Sequence, residues 1–319
     1  MEKNDISRKL IAVVGPTASG KTSLGVFLAK KFGGEIISAD SRQVYKGLDI
    51  GTGKDLSEYN GIKYHLIDIC DPGKKFTLFD YLNYARFVID DIFGRGKLPV
   101  VVGGTGLYVQ ALTQGFELEQ VKSLKFKVKS YRREELAKMS LLKLQGIVRK
   151  LKAESCKLEA VDINNPHRLI RFIEKAQSGV IPSKKKPDFE VLQIGINLPR
   201  EELYQKIDQR VESWFREGIV EEIKDLINNG VDSKWLLDLG LEYRIIGNYI
   251  LENPKSKIQN PKSKKLEAES YKLFSDMKQE LKYKIHQFAK RQLTWFGRFP
   301  EIKWVKNKKE AEILLKKYL

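Results

Sequence analysis

The stretch Gly15-Pro16-Thr17-Ala18-Ser19-Gly20-Lys21-Thr22 decides how the first part of this chain folds. It follows the phosphate-loop pattern G-x-x-x-x-G-K-[ST], in which backbone amides surround an anion at the start of a helix. The apolar run before it, residues 10–14, predicts a buried strand, and the run 21–32 after it predicts a helix that ends at Gly33. An ordinary glycine-rich turn is the alternative reading. Strand, loop and helix together favour a site for a phosphorylated small molecule.

Strand and helix patterns alternate up to about residue 110. Strands are predicted at 35–39, 64–69 and 98–102, and helices at 78–93 and from Leu107. Such alternation is typical of a parallel sheet flanked by helices. The fold class predicted here is therefore α/β.

The pattern changes near Gly115. Residues 118–161 are basic and helical in pattern, without strand signals, and a further helix is predicted from Pro166 to Gly179 with Asn165 as its N-cap. We therefore predict a helical insertion over 117–185, between two parts of one α/β core at 1–116 and 186–319.

The remainder of the chain returns to the core pattern. Its predicted segments are a basic loop at 183–187, a strand at 189–196, helices over 200–228, a lysine-rich surface loop with a short duplication at 253–265, a helix at 267–296, a strand at 302–305 and a last helix.

Charge and composition narrow the class of partner. Fifty-eight Lys and Arg against 41 Asp and Glu give a net charge of +17. This balance favours a polyanion such as nucleic acid, although a lysine-rich solubilising surface is the rival explanation. Cys70 and Cys156 form no metal or disulfide pattern, which indicates reduced thiols. There is no apolar run of membrane-spanning length, so we expect a cytoplasmic protein without a membrane partner.

Polar groups follow several predicted strands at the edge where an open parallel sheet binds its ligands. Residues 38–45 follow the second strand, Asp68 and Asp71 lie around the end of the third, and 103–108 follow the fourth. Asp40 is the candidate general base, because a carboxylate there would face the phosphate loop. A helix cap or a carboxylate that organises Mg²⁺ is the alternative.

The glycine-rich segment 103–106 permits close approach of another backbone, and Thr105 can hydrogen-bond to it, although a plain strand-to-helix turn explains it equally well. The strand before it ends without an acidic residue. Phosphoryl-transferring ATPases place a metal-binding aspartate there, so its absence argues against simple ATP hydrolysis unless Asp68 takes that role.

Two basic clusters are candidate RNA contacts. His167, Arg168 and Arg171 lie near the start of one predicted helix, where cations need an anionic partner; Glu174 is the internal alternative. The segment 290–296 interleaves basic, amide and aromatic side chains, which suits phosphate contact and base stacking.

Together these motifs resemble those of the tRNA dimethylallyltransferases, also called tRNA isopentenyltransferases. The matching stretches occur in the family's order and cover nearly the whole chain. They are residues 15–22, 38–54, 65–69, 103–108, 165–171 and 289–296.

The resemblance implies an activity and a fold. The family moves a dimethylallyl group from dimethylallyl pyrophosphate to the exocyclic amine of the adenosine directly 3′ of the anticodon, in tRNAs that read codons starting with U, and releases pyrophosphate. The implied fold is that of P-loop nucleotide kinases, with a helical insertion that closes over the tRNA anticodon arm. A cytoplasmic, nucleotide-binding monomer that uses Mg²⁺ is expected.

The resemblance also implies roles for individual residues. Asp40 would be the base, and Thr17, Lys21 and Arg210 would act near the pyrophosphate, with Mg²⁺ on the Thr22 hydroxyl. The pyrophosphate would be bound by Gly15, Pro16, Thr17, Ala18, Ser19, Gly20, Lys21 and Thr22. Contacts to tRNA are expected from Asp40, Ser41, Arg42, Gln43, Thr105, His167, Arg168, Leu169, Ile170, Arg171, Lys290, Arg291 and Gln292.

Three other functions stay open from the sequence. A P-loop kinase of a small metabolite would move phosphate from ATP, but it leaves the helical insertion and the basic C-terminal helix unexplained. A related enzyme would prenylate free adenine nucleotides. A non-catalytic RNA-binding protein would keep the loop as a relic, which the presence of Asp40, Thr17 and Lys21 disfavours.

Overall fold

The structure is a computed structural model that describes residues 8–120, 131–154, 162–178, 180–253 and 264–319. Within these ranges the chain forms eight strands and twelve α-helices. The strands are β1 (Lys9–Val14), β2 (Gly34–Ser38), β3 (Tyr64–His65), β4 (Leu98–Gly103), β5 (Phe116–Gln120), β6 (Val180–Lys184), β7 (Glu190–Ile196) and β8 (Lys303–Val305). The helices are α1 (Lys21–Phe32), α2 (Leu78–Gly94), α3 (Gly106–Thr113), α4 (Arg133–Ala137), α5 (Leu141–Glu154), α6 (Pro166–Ser178), α7 (Arg200–Glu217), α8 (Ile219–Asn228), α9 (Ser233–Asp238), α10 (Leu241–Glu252), α11 (Lys264–Phe296) and α12 (Lys308–Tyr318).

Six strands form one parallel sheet in the order β3-β2-β4-β1-β7-β8. Val100 of β4 lies beside Ile36 of β2 on one side and Ile11 of β1 on the other. These three side chains are fully buried, as expected for central strands covered on both faces. The predicted α/β class is confirmed. Because β2, β4 and β1 are neighbours, the loops that follow them emerge side by side at one edge.

Helix α1 forms where the sequence predicts it. Gly20, its N-cap, and Gly33, its C-cap, both have the left-handed backbone conformation that glycine adopts without steric cost. Leu24 and Leu28 are buried in the core that α1 shares with the sheet. The helix is thus fixed at both ends, and its N-terminus opens directly onto the phosphate loop.

A second layer contains helices α7, α8, α10 and α11. Their apolar side chains form one core with the segment that follows β2, including Val44, Ile207, Ile223, Tyr243 and Leu281. This packing brings residues from distant parts of the chain to the edge where the loops after β1, β2 and β4 emerge. The helices predicted over 200–228 are α7 and α8, and Gly218, which has a positive φ of 97°, separates them.

Two predicted boundaries differ from the structure, the first of them for a backbone reason. The strand predicted over 64–69 ends after His65, because Leu66 and Asp68 have positive φ angles of 64° and 55° that an extended strand excludes. The long C-terminal helix starts at Lys264, three residues before the predicted start. Most of the predicted loop at 253–265, and Cys156, lie outside the described residues.

The described residues of Gln114–Lys186 form a second compact unit, separate from the unit that ends at Thr113 and resumes at Pro187. Helices α4, α5 and α6 of this unit pack around Leu136, Leu144, Val148, Leu169 and Ile173. Pro166 is the first helical residue of α6, as predicted, and the Asn165 side chain accepts a hydrogen bond from the Arg168 N–H at 3.2 Å, which confirms the N-cap.

The second unit also contains a β-ribbon that the sequence analysis missed. Strands β5 and β6 pair antiparallel, with Phe116 opposite Lys184 and Gln120 opposite Val180. The prediction of no strand over 118–161 is therefore wrong at residues 118–120, and the basic loop predicted at 183–187 begins only after Lys184. The alternation of apolar and polar residues in Phe116–Gln120 was the available signal.

No described helix has the length and apolar composition needed to cross a membrane.

Candidate active site

The phosphate loop, residues 15–22, forms a tight turn between β1 and α1. The Ser19 N–H donates to the Pro16 carbonyl at 3.3 Å, and Ala18 has a positive φ of 60°, which is uncommon for a residue with a Cβ. The first amides of α1 have no partner within the helix, and they point out of its N-terminus. We call residues 15–22 the phosphate cradle, because this geometry presents N–H donors to an anion.

The cradle has two further features that fit a bound anion. Among the described residues, the Ser19 hydroxyl is buried without a hydrogen-bond partner. A Cβ on Gly15 would lie 2.8 Å from that hydroxyl oxygen, so only glycine leaves the loop its present path. An unpaired buried polar atom is costly unless a ligand or water satisfies it.

Lys21 and Arg210 place two positive charges at the cradle. The Lys21 ammonium donates to the Pro16 carbonyl at 3.3 Å, and burial, reinforced by the neighbouring Arg210 guanidinium, lowers the pKa of Lys21 to about 8. Arg210 reaches across from α7, where its Nη1 lies 3.5 Å from the Thr17 hydroxyl. Its guanidinium occupies the space that a side chain at Gly53 would fill. The structure therefore brings Thr17, Lys21 and Arg210 together, as the resemblance implies.

Gln292 of α11 holds the cradle in place. Its Oε1 accepts the Thr17 N–H at 2.8 Å, and its Nε2 donates to the Gly104 carbonyl at 2.9 Å, so it links the loops after β1 and β4. The side chain is buried. Both ends of its amide are used inside the protein, so Gln292 positions the cradle, and its contact with tRNA stays a prediction.

Asp40 lies at the end of β2, beside the cradle. Its Oδ1 accepts the Arg42 N–H at 2.9 Å. The next N–H, from Ser41, donates to the Thr105 hydroxyl at 3.0 Å, and the Thr105 N–H donates to the Ala39 carbonyl at 3.2 Å. The segment that carries Asp40 is thus fixed to the loop after β4. This local turn orients the half-buried carboxylate, and the role of Asp40 as general base stays a prediction.

Gln43 is bound inside the protein at both ends of its amide. Its Oε1 accepts from the Ser38 hydroxyl at 2.9 Å, and its Nε2 donates to the carbonyls of Thr52 and Gly53 at 3.3 Å each. These contacts make Gln43 a brace between the end of β2 and residues 52–53. If Gln43 contacts tRNA as predicted, the contact must use acceptor lone pairs that these hydrogen bonds leave free.

Two of the cavities that adjoin the cradle within the first unit share Lys21 and Thr22. The inner cavity, about 340 Å³, is lined by Thr17, Lys21, Asp40, Arg42 and Thr105, with Leu107, Phe288 and Trp295 among its apolar walls. The outer cavity, about 810 Å³, lies against the α1 N-terminus. Both volumes fit small-molecule sites, which measure roughly 300–1,000 Å³. The residues shared by both cavities are Lys21, Thr22, Gly53, Arg210 and Trp214.

Two charged side chains near this site, Glu242 and Lys54, are buried, and neither burial was predicted from sequence. Glu242 of α10 accepts from Arg42 Nη1 at 2.6 Å and is 3% exposed. The buried Lys54 ammonium binds the Tyr45 carbonyl and the carboxylates of Asp49 and Asp68. Asp68, a candidate for a metal-binding role, is therefore an ion-pair partner of Lys54. Long sequence separation hid the contact between Arg42 and Glu242.

The residues present fit a magnesium ion only as part of a bound diphosphate. No group of three or more His, Cys, Asp or Glu side chains in the described ranges could hold a metal by itself. Thr22 lines both cavities, next to Lys21. Mg²⁺ in phosphate sites commonly takes one or two protein ligands and completes its coordination with phosphate oxygens and water.

The basic cluster of α6 lies on the second unit, and its residues differ in exposure. His167 and Arg168 are exposed, whereas Leu169 and Ile170 are buried in the core of that unit. Burial leaves little of the Leu169 and Ile170 side chains for a contact with tRNA, and the tRNA contact of these two residues stays a prediction. Arg171 lies 3.3 Å from Glu174, the internal partner that the sequence left open.

The C-terminal cluster places two cations at the surface of the first unit. Lys290 and Arg291 are exposed on α11, and Arg291 lies over the Phe288 ring at 5.8 Å. Arg291 and Phe288 also line the inner cavity. This part of the predicted RNA surface therefore continues into the cavity that contains Asp40.

Comparison with known proteins identifies the family. Residues 43–299 match the IPP transferase family, and residues 8–65 match a family described as isopentenyl transferase. A tRNA dimethylallyltransferase 1 from Geotalea daltonii is 40% identical over 291 residues, covering 91% of this chain and 86% of the relative. A tRNA dimethylallyltransferase 2 from Shewanella sediminis is 41% identical over 293 residues, covering 91% and 89%.

Solved structures agree with the sequence comparison. The tRNA isopentenylpyrophosphate transferase of Bacillus halodurans superposes with a TM-score of 0.63 at 33% identity, covering 94% of this chain and 90% of that one. A eukaryotic dimethylallyltransferase, described as acting on tRNA, superposes with a TM-score of 0.69 at 26% identity, covering 94% and 74%. The fold, the cradle and these likenesses together place the chain in the IPP transferase family, among the tRNA dimethylallyltransferases.

Proposed function

We propose that this protein transfers a dimethylallyl group from dimethylallyl pyrophosphate to the exocyclic amine of the adenosine directly 3′ of the anticodon, in tRNAs that read codons starting with U. The observation that carries this proposal is one cavity lined both by an anion-binding cradle and by a carboxylate. Lys21 and Thr17 of the cradle and Asp40 line the same 340 Å³ space. Family membership supports the same reaction.

The reaction breaks one bond and forms another at the allylic carbon. The adenine N6 attacks that carbon, the carbon–oxygen bond to pyrophosphate breaks, and the leaving pyrophosphate takes the electron pair. Negative charge grows on the leaving oxygen, where the cradle amides, Lys21, Arg210 and the Thr17 hydroxyl stabilise it electrostatically. Fixed donors of this kind need little reorganisation during the reaction, which is the source of their effect on rate.

Asp40 takes the proton that the reaction releases. An exocyclic amine becomes acidic only as its bond to carbon forms, so the base must already be in place. The Arg42 N–H holds Asp40 Oδ1 at 2.9 Å, which leaves Oδ2 for the substrate. The same cavity has aromatic walls at Phe288 and Trp295, which suit a base that has left its stack.

Magnesium belongs to the proposal through the Thr22 hydroxyl. Thr22 is the cradle residue whose side chain would hold the ion against the diphosphate. A bound Mg²⁺ would supply additional positive charge at the leaving group.

The tRNA anticodon arm is the proposed polyanionic partner. The net charge of +17 supports it, as do the exposed cations Arg168, Lys290 and Arg291. Ser41, Arg42, Gln43 and Thr105 lie at the cavity where the target base would enter. We further propose that the protein works as a monomer in the cytoplasm, where its tRNA substrate is found.

A substrate competition tests this function. The protein is incubated with Mg²⁺, labelled dimethylallyl pyrophosphate and undermodified tRNA, with AMP and ATP as rival substrates in parallel reactions. We expect label in tRNA, at the adenosine 3′ of the anticodon. Label in AMP alone would identify an enzyme of free nucleotides, and phosphate moving from ATP would identify a kinase. Binding of tRNA without any transfer would leave only an RNA-binding protein.

A further inference from the structure

Glu242 is a buried carboxylate in the wall of the inner cavity. Its side chain is 4% exposed, and its Oε1 lies 2.6 Å from Arg42 Nη1. Both residues line the cavity that contains Asp40. A buried ion pair is a weak source of stability, because desolvation of two charges opposes their attraction. Its place beside the candidate base asks for a different explanation.

A short chain of contacts connects Glu242 to Asp40. The Glu242 carboxylate holds the Arg42 guanidinium, and the backbone N–H of the same Arg42 donates to Asp40 Oδ1 at 2.9 Å. Arg42 is thus fixed at both its side chain and its backbone, by two carboxylates from different parts of the fold. Movement of its side chain would be transmitted to the turn that orients Asp40.

The backbone just before Glu242 has an uncommon conformation. Leu241, the residue before it, has a positive φ of 42°, which is uncommon for a side chain of this size. Glu242 lies in the first turn of α10, and the Arg42 guanidinium passes 3.6 Å from the Cβ position of Gly240, the N-cap. A cation at a helix N-terminus is unfavourable, so the adjacent carboxylate compensates it there.

Electrostatics give the pair a second effect. The described ionisable groups that interact with Asp40 are Lys21, Arg42, Tyr59, Tyr108, Arg210 and Glu242. Burial raises the pKa of both tyrosines, so they are neutral. Burial also raises the pKa of Glu242, and the Arg42 guanidinium opposes that shift by favouring the charged carboxylate. Three cations therefore interact with Asp40, and Glu242 is the one carboxylate of this set that offsets them when it is charged. Nearby cations weaken a carboxylate as a base, and a nearby anion strengthens it.

We propose that Glu242 is a positioning residue for proton transfer, which holds Arg42 in place and balances its charge beside Asp40. This inference rests on the proposed function, because it assigns Glu242 a part in the reaction that Asp40 performs. It predicts that removal of the Glu242 charge changes the pH dependence of the chemical step, and not only its rate.

The test is a single-turnover rate of prenyl transfer to tRNA, measured against pH for wild type and Glu242→Gln. Glutamine keeps the length of the side chain and one acceptor oxygen. We expect the rate to fall about tenfold or more, and the acid limb of the profile to move about half a pH unit lower. Affinity for tRNA should stay within about threefold, since Arg42 remains. Glu252→Gln, an exposed position at the other end of α10, is the matched control.

Two more variants separate charge from geometry. Glu242→Asp keeps the charge on a shorter side chain, so it should slow transfer without moving the acid limb. Arg42→Gln combined with Glu242→Gln removes both charges and should return the acid limb toward that of wild type, which tests the charge balance even if Glu242→Gln folds poorly.

The outcomes distinguish this inference from the proposed function. A wild-type protein that transfers no prenyl group contradicts the proposed function itself. If the wild type is active and Glu242→Gln has the same acid limb as wild type, the role of Glu242 is overturned. The role is also overturned if the double variant keeps the acid limb of the single variant Glu242→Gln. Loss of tRNA affinity with an unchanged single-turnover rate would make the ion pair part of the RNA surface instead.

Discussion

The phosphate cradle and the basic cluster of α6 were both predicted as contacts for phosphate groups, yet they are built differently. In the cradle, side chains from distant parts of the chain hold the critical groups: Gln292 binds the Thr17 N–H, and Arg210 reaches the Thr17 hydroxyl. On α6, His167 and Arg168 are exposed to solvent, and Arg171 has a surface partner in Glu174. The first arrangement is rigid and partly desolvated, whereas the second is solvated.

This difference indicates what each region contributes. Donors fixed in a desolvated site stabilise charge that develops during a reaction. Exposed cations attract a polyanion over a distance set by salt, and each contributes little by itself. Changes in the cradle region should therefore alter the rate of chemistry, and changes on α6 should alter affinity for RNA. The following predictions test that division, from the largest effect to the smallest.

Replacement of the candidate base should have the largest effect. Asp40→Asn keeps the acceptor for the Arg42 N–H but cannot take a proton, so turnover should fall by about 10²–10⁴-fold. Affinity for tRNA should change by less than about threefold, as measured by filter binding. Asp238→Asn, at an exposed position of α9, is the control. A collapse of tRNA affinity with little change in single-turnover rate would reassign Asp40 to binding.

Removal of the cradle ammonium should come next. Lys21→Met should lower kcat/KM for dimethylallyl pyrophosphate by about 10²–10³-fold. Lys30→Met, on the exposed side of the same helix, serves as the control. If the two variants behaved alike, the cradle would have no special electrostatic role and its difference from α6 would disappear.

The lowered pKa of Lys21 gives a pH prediction with a defined sign. The ammonium binds the diphosphate only when it is protonated, and its pKa in the free protein is about 8. The affinity for dimethylallyl pyrophosphate should therefore be full below pH 8 and should decline as the pH rises through that value. Inhibition by inorganic pyrophosphate, measured against pH, reports this affinity. An affinity that stays flat to pH 10 would contradict the assigned environment of Lys21.

Replacement of Gln292, which links the loops after β1 and β4, should have an intermediate effect. Gln292→Leu removes the bonds to the Thr17 N–H and the Gly104 carbonyl, so the cradle should shift and turnover should fall about 10–100-fold. Gln205→Leu, at an exposed position of α7, controls for the added apolar surface. A loss of tRNA affinity without a change in turnover at saturating tRNA would make Gln292 an RNA contact, as the resemblance implies.

The exposed cation on α6 should have the smallest effect. Arg168→Ala should weaken tRNA binding a few-fold and reduce the slope of log affinity against log salt by about one. Single-turnover transfer at saturating tRNA should be unchanged. Lys317→Ala, an exposed cation on α12, is the control. Equal slopes for Arg168→Ala and wild type would remove α6 from the RNA interface.

Features that depend on residues close together in the sequence were predicted, and features that depend on distant residues were not. The cradle, α1 and the N-cap Asn165 depend on neighbouring residues, so their patterns were sufficient. The contact between Arg42 and Glu242 joins residues 200 positions apart, and nothing local marks it. Residues 165–171 form one contiguous stretch of the family resemblance. Helical periodicity places Leu169 and Ile170 of this stretch in the core of the second unit, which the contiguous match does not show. The β5–β6 ribbon was missed because its two strands are far apart in the chain.

The central claim is that the protein breaks a carbon–oxygen bond and not a phosphorus–oxygen bond. It is tested most directly with dimethylallyl pyrophosphate that carries one isotope in the prenyl group and another in the phosphates. The account predicts that the carbon label enters tRNA and that all the phosphorus label is released as pyrophosphate. Phosphorus label in any acceptor, or release of inorganic phosphate in place of pyrophosphate, would contradict it.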